Sequence, residues 1–513
     1  MTPAPLPPAP LPPAPERSLK LSLGAFSRMS LASAAQALSG LVRMKIVAVL
    51  LGPAGVGVYG LFYALSQTVA VFGALGQDLA GPRQIAQARA REGTEDPAQV
   101  IWAVCLLLAG LAAACGGGFL LSAGWIARLL ARPEDATEIA WLSVAVVLAI
   151  LALVPVITLQ GLREIGRLAQ VNLWAAVAAM IAGGGAVLVL GGAGIVVMII
   201  AAPACLLCAG GLALLGLRRG LVRPRLSEVL AILRVLVARG APFMLVSMTV
   251  IGTAFAARGL VQQVLGAEAL GLYTAATSIA TTYLALVLVA LSADYLPSLS
   301  AAIHRPAEAA RLVAEQVEVV QLIVIPVALA VFAAAPLVMT WLFSAEFAAA
   351  APILRWLAVA DIIRVMVWPV GFVLLARGEG MRYFLVEASL QLVFLGLTFL
   401  VAREVGLSAT ALVFPVMAVV TVSVIWRVVR RRMALPPFAG LLPLPVCALC
   451  LAGLTALVST LSPLVGLWLG LGLSLGLAVH AVLRLSRLAG LGGPVGLVAA
   501  KARDGLRRFG LRV

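Results

Sequence analysis

An all-α polytopic membrane fold of about fourteen transmembrane helices is what the sequence predicts, and three observations predict it. The first is the solvent the chain needs. Of its 513 residues 63% are hydrophobic and 11% charged, with a mean hydropathy of +1.10. A soluble chain of this length cannot hide so much apolar surface. The second is a series of apolar runs of about 20 residues, separated by glycine turns or charged loops. The third is a duplicated turn. Leu51-Gly52-Pro53-Ala54-Gly55-Val56-Gly57-Val58-Tyr59 returns as Leu265-Gly266-Ala267-Glu268-Ala269-Leu270-Gly271-Leu272-Tyr273, 214 residues on, with leucine, both outer glycines and tyrosine coinciding.

Taken in order, residues 1–18 form a Pro/Ala-rich tail whose MTPAPLPPAPLPPAPE reads as disordered and cytoplasmic. An N-terminal bundle, 19–217, holds six runs at 22–51, 55–79, 98–124, 138–160, 169–190 and 193–217. A cytoplasmic linker, 218–239, contains Pro224-Arg225-Leu226-Ser227-Glu228 leading toward Arg234, an amphipathic stretch suited to the membrane surface. The second bundle, 240–432, holds 240–265, 268–296, 316–343, 349–376, 383–402 and 406–426. Two further runs, 439–460 and 463–483, occupy 433–487, and a basic cytoplasmic segment, 488–513, ends the sequence. Two pseudo-symmetric six-helix halves plus a C-terminal pair follow from this count.

Charge orients the layout. With the N-terminus in the cytoplasm, 28 of the 37 Lys and Arg fall in cytoplasmic loops and tails. Only Arg128, Arg132 and Arg403 lie outside, and six lie within helices. Both termini are therefore cytoplasmic, in a multi-pass protein of the cell membrane. The excess of 16 positive charges is scattered between apolar runs, which excludes a nucleic-acid surface and leaves lipid headgroups as its partner. No nucleotide motif is present. Cys205-x-x-Cys208 and Cys447-x-x-Cys450 lie inside apolar helices, and the only histidines, His304 and His480, are too few for a His-based site. No metal, cofactor or catalytic centre is expected.

Ionisable groups inside a bilayer cost several kcal/mol unless they meet water, a partner or an interface. In the first helix Arg28, Gln36, Ser39, Gly40 and Arg43 fall along one line, with Arg43 about 13 Å below the outer turn. Lys45 points the other way and snorkels outward. In the seventh helix Arg258 and Gln262 share a face with Ser247, at nearly the depth of Arg43 under the 214-residue offset. Thr274, Thr277, Ser278 and Thr281 line one face of the eighth. Two arginines among hydroxyls suit a phosphate or pyrophosphate headgroup carrying hydroxyl-rich matter. A duplicated hairpin with buried positive charge is also a transporter signature. Asp361 and Arg364 can pair at i, i+3, and with Glu387 they are candidates for coupling or gating. Asp78 and Asp294 end helices on the cytoplasmic side, as caps.

The first helix pair, KIVAVLLGPAGVGVYGLFYALSQTVAVFGALGQDLAGPRQIA, resembles the opening of Wzx-type oligosaccharide flippases. These belong to the polysaccharide-transport branch of the multidrug/oligosaccharidyl-lipid/polysaccharide (MOP) superfamily. Ala360-Asp361-Ile362-Ile363-Arg364, Val367-Trp368-Pro369-Val370-Gly371-Phe372 and Leu385-Val386-Glu387-Ala388-Ser389 resemble that branch too, and the similarity covers most of 20–430. It implies a MATE-like fold: two six-helix bundles about a pseudo-twofold axis along the membrane normal, with a V-shaped cavity opening alternately to each side. It further implies an undecaprenyl-pyrophosphate-linked oligosaccharide as cargo, for O-antigen or exopolysaccharide synthesis, driven by an ion gradient. A polysaccharide polymerase and glycosyltransferases are the partners it implies. By position, Arg43, Arg258, Asp361, Arg364 and Glu387 stand where such proteins carry cavity charges.

Other readings fit less well. A lipid II transporter would cluster arginines in the first two helices, and 55–79 has none. A multidrug antiporter would carry acidic groups in the N-terminal half, where the helix charges are basic. A glycosyltransferase or ligase needs sizeable outer loops with carboxylates or histidine. Beyond Glu268, Glu346 and Glu404, the outer acids are Glu134, Asp135 and Glu138 of one short loop. A scaffold leaves the buried arginines unexplained.

Overall fold

Glycines with left-handed φ set the path of the chain. A computed structural model describes residues 16–89, 96–216, 226–433, 435 and 438–487. In it the helical stretch Glu16–Ala74 breaks at Gly52, with φ 65° and ψ −165°, into α1 (16–51) and α2 (53–74). There follow α3 (Gln77–Arg89), α4 (Pro97–Leu129), α5 (Ala136–Gly161), α6 (Ile165–Leu190) and α7 (Gly194–Leu215). In the second half, Leu226–Ala302 breaks at Gly266, φ 85° and ψ −178°, into α8 (226–265) and α9 (267–302). After it come α10 (Pro306–Leu342), α11 (Ala351–Arg364), α12 (Val367–Ala376), α13 (Gly380–Glu404), α14 (Leu407–Thr410), α15 (Val413–Arg430), α16 (Pro443–Leu461) and α17 (Pro463–Arg487). Both breaks use a backbone region nearly closed to residues with a Cβ, so turn geometry fixes the duplicated glycine.

Ten helical stretches among the described residues are long and apolar enough to cross a membrane, or eleven when the bent pair Ala345–Arg364 and Val367–Ala376 counts as a span. Three of the ten are interrupted, at Gly52, Gly191–Ala193 and Gly266, so the path is consistent with fourteen crossings. The protein is an all-α polytopic membrane protein. We call the end bearing Gly52 and Gly266 outer, following the charge distribution. Trp125, Trp141, Trp341, Trp356 and Trp468 are exposed near the outer ends of their helices, as an interfacial aromatic belt requires.

The repeat runs further than sequence identity reveals. Gly191 (φ 59°) and Gly406 (φ 93°), 215 residues apart, break the chain at a second pair of outer turns. At the inner end Arg163 (φ 58°) and Gly378 (φ 75°), again 215 apart, begin the same hydrogen-bond ladder. Glu164 N donates to Leu159 O at 2.9 Å and Glu379 N to Leu374 O at 2.8 Å. Glu164 pairs with Arg167 at 3.8 Å. Its counterpart Glu379 is paired with Arg382, with Arg377 at 3.3 Å and with Arg432 at 3.8 Å. A small desolvation cost at Glu379 is outweighed by hydrogen bonds from Arg382 and Arg377 and the field of Arg432. Its carboxyl is held below the usual carboxylate range.

Four segments depart from the predicted path. The second helix does not run to residue 79: it stops at Ala74, turns through Leu75 (φ 48°) and Gly76 (φ 67°), and α3 follows. The tenth run is bent by 48° between α11 and α12. Pro369 has no N–H for Val365 and its ring crowds that carbonyl, which breaks the helix there. Pro415 does the same at Ala411, between α14 and α15. The linker's helical part, from 226, continues into α8 without a break. The tail at 1–15, the rest of the linker at 217–225 and the basic segment 488–513 lie outside the described residues.

Packing differs between the two ends. At the outer end one core joins both halves, with Met44, Val47, Tyr59 and Phe62 packed in the same cluster as Val261, Leu270, Tyr273 and Phe347. Toward the inner end the cores separate. One gathers Ile85, Val104 and Ile150 with Leu236 of α8, the other Tyr295, Val320 and Trp426. The outer crossing of α2 and α9 is backbone-close: a Cβ on Gly57 would lie 2.5 Å from Ala267 O, and one on Gly60 would lie 2.8 Å from Thr274 Oγ1. The α16–α17 hairpin packs on α10, where Ser474 Oγ donates to Pro326 O (2.8 Å) and Arg484 pairs with Glu318 (2.7 Å).

Candidate functional site

Polar groups on α1 and α2 face a cavity of about 460 Å³ inside the N-terminal half. Its first wall is the polar face of α1, with Gln36, Ser39 and Arg43. The second is α2, which presents Tyr63, Ser66, Gln67, Ala70 and Ala74 at helical spacing. Alanines of α5 and α6 form the far side: Ala145, Ala149, Ala152, Ala175, Ala176 and Ala179. Gly76 and Asp78 stand at the inner end, and Met244 and Ser247 of α8 bring the other half to the rim.

Backbone contacts fix this geometry. Ser39 Oγ donates to Ala176 O at 2.8 Å, tying α1 to α6. Ser66 Oγ folds back onto Phe62 O at 2.8 Å. At the inner end Gln77 Nε2 donates to Leu236 O at 2.8 Å, and Arg83 stacks over the Phe243 ring at 5.3 Å. A Cβ on Gly76 would strike the Gly240 carbonyl. Thus α3 closes the floor against α8.

Arg43 lines the cavity with its Nε 3.4 Å from Ser39 O, and no carboxylate lies within ion-pair distance of it among the described residues. Arg258 is placed differently. Its Nη1 donates to Ala254 O at 2.9 Å, its Nε is buried without a partner, and its charge acts on Tyr273 and Tyr63. Arg43 acts in the same way on Tyr59, the repeat partner of Tyr273. Arg258 thus lies near tyrosines of both α9 and α2 and Arg43 near Tyr59 of α2, and of the two arginines Arg43 is the one that lines the cavity.

The remaining residues divide between the halves' interface and the C-terminal half. Gln262 is buried with Oε1 unpartnered, and Thr274 Oγ1, likewise buried and unpartnered, packs on Gly60. The hydroxyls of Thr277, Ser278 and Thr281 bond carbonyls of their own helix at 2.8, 2.7 and 2.8 Å, and Ser278 also meets Met44 Sδ. Such back-bonding satisfies hydroxyls inside a helix without any ligand. Lys45 reaches Trp341 O at the C-terminal end of α10 (2.9 Å), a favourable place for a cation. The side chains of Arg28 and Asp294 lie outside the described residues.

In the C-terminal half, Asp361 is 1% exposed and accepts from Arg364 Nη2 (2.8 Å) and Tyr283 Oη (2.6 Å). Under the 215-residue offset Arg364 stands where Ala149 lines the first cavity. Under the 214-residue offset exposed Thr281 stands where Gln67 does. One half thus has an alanine wall where the other has an ion pair. Glu387 Oε1 accepts from Gln391 Nε2 at 3.0 Å, one turn on along α13.

Sequence reasoning passed over Tyr63, Gln67 and Tyr283. Polar residues four apart in an otherwise apolar α2 were the available signal for the first two. Tyr283, two residues beyond Thr281, carried none that separates it from core tyrosines. The six cysteines are free, and no group of three or more His, Cys, Asp or Glu stands together among the described residues.

The comparisons agree with this architecture. No curated protein sequence matches the chain. Among solved structures, the lipid II flippase MurJ in an inward closed conformation has a TM-score of 0.68 at 11% identity, covering 89% of this chain and 99% of that one. An inward-facing multidrug resistance MATE family transporter of the MOP superfamily has 0.65 at 16%, covering 79% and 98%. A MOP superfamily transporter from Pyrococcus furiosus, described as having a binding pocket of reverse polarity, has 0.58 at 18%, covering 80% and 95%. These likenesses establish a fold like that of MATE and MurJ. A family profile described as "Polysaccharide biosynthesis protein" matches residues 46–352, more than half of the sequence. The chain belongs to the polysaccharide biosynthesis protein family.

Proposed function

We propose that the protein is a flippase of the Wzx type. It moves an undecaprenyl-pyrophosphate-linked oligosaccharide from the cytoplasmic to the outer leaflet of a bacterial inner membrane, for O-antigen or exopolysaccharide synthesis. The observation that carries this reading is Arg43, a guanidinium lining a membrane cavity with no carboxylate within ion-pair distance among the described residues, Asp78 standing apart at the inner end. A planar fork of donors there suits a diphosphate, which can take two parallel hydrogen bonds. The surrounding hydroxyl, amide and alanine surface leaves room for a polar headgroup, and family membership supports a polysaccharide precursor as cargo.

Alternating access is supported by the packing. One shared core at the outer end and two separate cores at the inner end suit a state closed on the outer side, in which only the contact of α3 with α8 covers the cavity floor and must part to admit cargo from the cytoplasm. Opening outward would break the α2–α9 crossing. Arg258 Nε, Gln262 Oε1 and Thr274 Oγ1 lack partners at or beside that crossing, and water would satisfy them once it opens. Asp361 with Arg364, and Glu387, are the groups through which an ion gradient would couple. Glycosyltransferases and a polymerase act before and after the step, and both termini are cytoplasmic.

Binding tests the reading. In native mass spectrometry of the full-length protein, undecaprenyl pyrophosphate should be retained in preference to undecaprenol. Arg43→Ala should weaken that preference about tenfold to a hundredfold, the worth of a charge-assisted contact. Equal retention of both lipids by the unaltered protein contradicts it.

A further inference from the structure

We infer that Tyr63, with Gln67 and Gln36 beside it, forms a sugar-binding subsite next to Arg43, in which a pyranose ring of the cargo stacks on the free face of the Tyr63 phenol. The inference rests on the flippase reading and adds what the cavity recognises beyond a diphosphate.

Tyr63 is 43% exposed on a helix whose neighbours Phe62 and Leu65 are buried, and its exposed surface is part of the cavity wall. One face of its ring lies against Tyr59 at 6.0 Å between centroids and 18° between planes. Tyr59 is buried, so the orientation of the pair is fixed and the other face of Tyr63 is left for a ligand. The phenol accepts a hydrogen bond from Gln67 Nε2 at 3.2 Å. That bond holds the Gln67 amide in the cavity and leaves its carbonyl oxygen and second N–H free to pair outward.

A pyranose presents a face of C–H bonds and a rim of hydroxyls. Its complement is an aromatic plane with amide side chains at the edge, the mixture of apolar surface and few placed polar groups that marks a small-molecule pocket. Gln36 supplies a second amide from α1, seven residues before Arg43 on the same face and about 10 Å along the axis. That separation accommodates a sugar beside a diphosphate. Much of the opposite wall is alanine, with Leu153, Ile199 and Leu206 completing an apolar surface that carries no charge. A polyprenyl tail alone would have no use for two amides and a phenol.

Two probes separate this inference from the reading beneath it: undecaprenyl pyrophosphate, and the same lipid bearing one N-acetylglucosamine. The purified full-length protein should bind the glycosylated lipid about tenfold more tightly than the bare one. Tyr63→Ala should abolish that difference while still retaining the bare lipid in preference to undecaprenol, which reports a folded cavity. Tyr63→Phe, which keeps the ring, should retain most of the preference. Should Tyr63→Ala not fold, Gln67→Leu should still lower the preference severalfold. A wild-type protein that binds both lipids equally, or a Tyr63→Ala protein that keeps the tenfold preference, overturns the sugar subsite and leaves the flippase reading standing. A wild-type protein that binds neither lipid removes both.

Discussion

Gly271→Ala should bias the protein toward an outward-open state. At Gly271 a Cβ would overlap the Pro53 carbonyl group, 2.5 Å from its carbon and 3.0 Å from the Pro53 Cα. Ordinary carbon contacts lie near 3.5–4.0 Å, so α2 and α9 must part by about 1 Å at their crossing. Overpacking of this kind costs about 1–3 kcal/mol. The cost falls only on the conformation in which the halves touch, because the added methyl meets nothing once they separate. A penalty confined to one state shifts the equilibrium about fivefold to 150-fold. Hydrogen exchange read by mass spectrometry should therefore rise by a like factor in 53–60 and 267–274. Gly110→Ala, on α4 with nothing within 4 Å of the new Cβ, should leave exchange there unchanged. A folded Gly271→Ala protein with unaltered exchange at both segments would refute the reasoning.

Gly52→Ala and Gly266→Ala should each lower thermal stability by about 1–3 kcal/mol, because both glycines use a left-handed conformation that a Cβ strains. Gly117→Ala, in open space, is the control for scanning calorimetry. Tyr283→Phe removes a donor to the buried Asp361 carboxylate and should cost about 1.5–3 kcal/mol in the same assay. The pH dependence of the inner turn follows from Glu379, whose folded pKa lies below its unfolded value. Its stabilising contribution is complete above the unfolded value and is lost as pH falls through the folded one. Acidification through and below the usual carboxylate range should lower the melting temperature less in Glu379→Gln than in the wild type.

The outer turns were legible because Gly52 and Gly266 sit in the same spacing with a leucine and a tyrosine in both halves, and because tight turns need glycine. The second duplication was not. Arg163 and Gly378 share a backbone conformation and a hydrogen-bond ladder without sharing a side chain, and chemistry alone does not reveal that. The bend after Arg364 and the break before Val413 were readable in principle from Pro369 and Pro415, each four residues beyond the carbonyl it orphans. Helix α3 was hidden by Pro82 and its polar composition, which resemble a loop until Gln77 and Arg83 meet α8. For the site, the charges gave depth but not facing. Arg43 and Arg258 lie at one level, yet a one-residue difference in register puts the first in the cavity and the second at the interface. The alanine walls gave no signal at all, since small apolar residues on α5 and α6 read equally well as lipid-facing. The threonine row of α9 stood out as polar, but its hydroxyls are satisfied by the helix that carries them.

Lipid transfer tests the central claim most directly. Full-length protein in proteoliposomes, with an undecaprenyl-pyrophosphate-linked sugar supplied in one leaflet, should deliver that lipid to the other leaflet, where a soluble glycosidase or lectin detects it. Arg43→Ala, reconstituted at equal density, should slow delivery about tenfold or more, as loss of a charge-assisted contact to the diphosphate predicts. Delivery at the wild-type rate by Arg43→Ala would contradict the account.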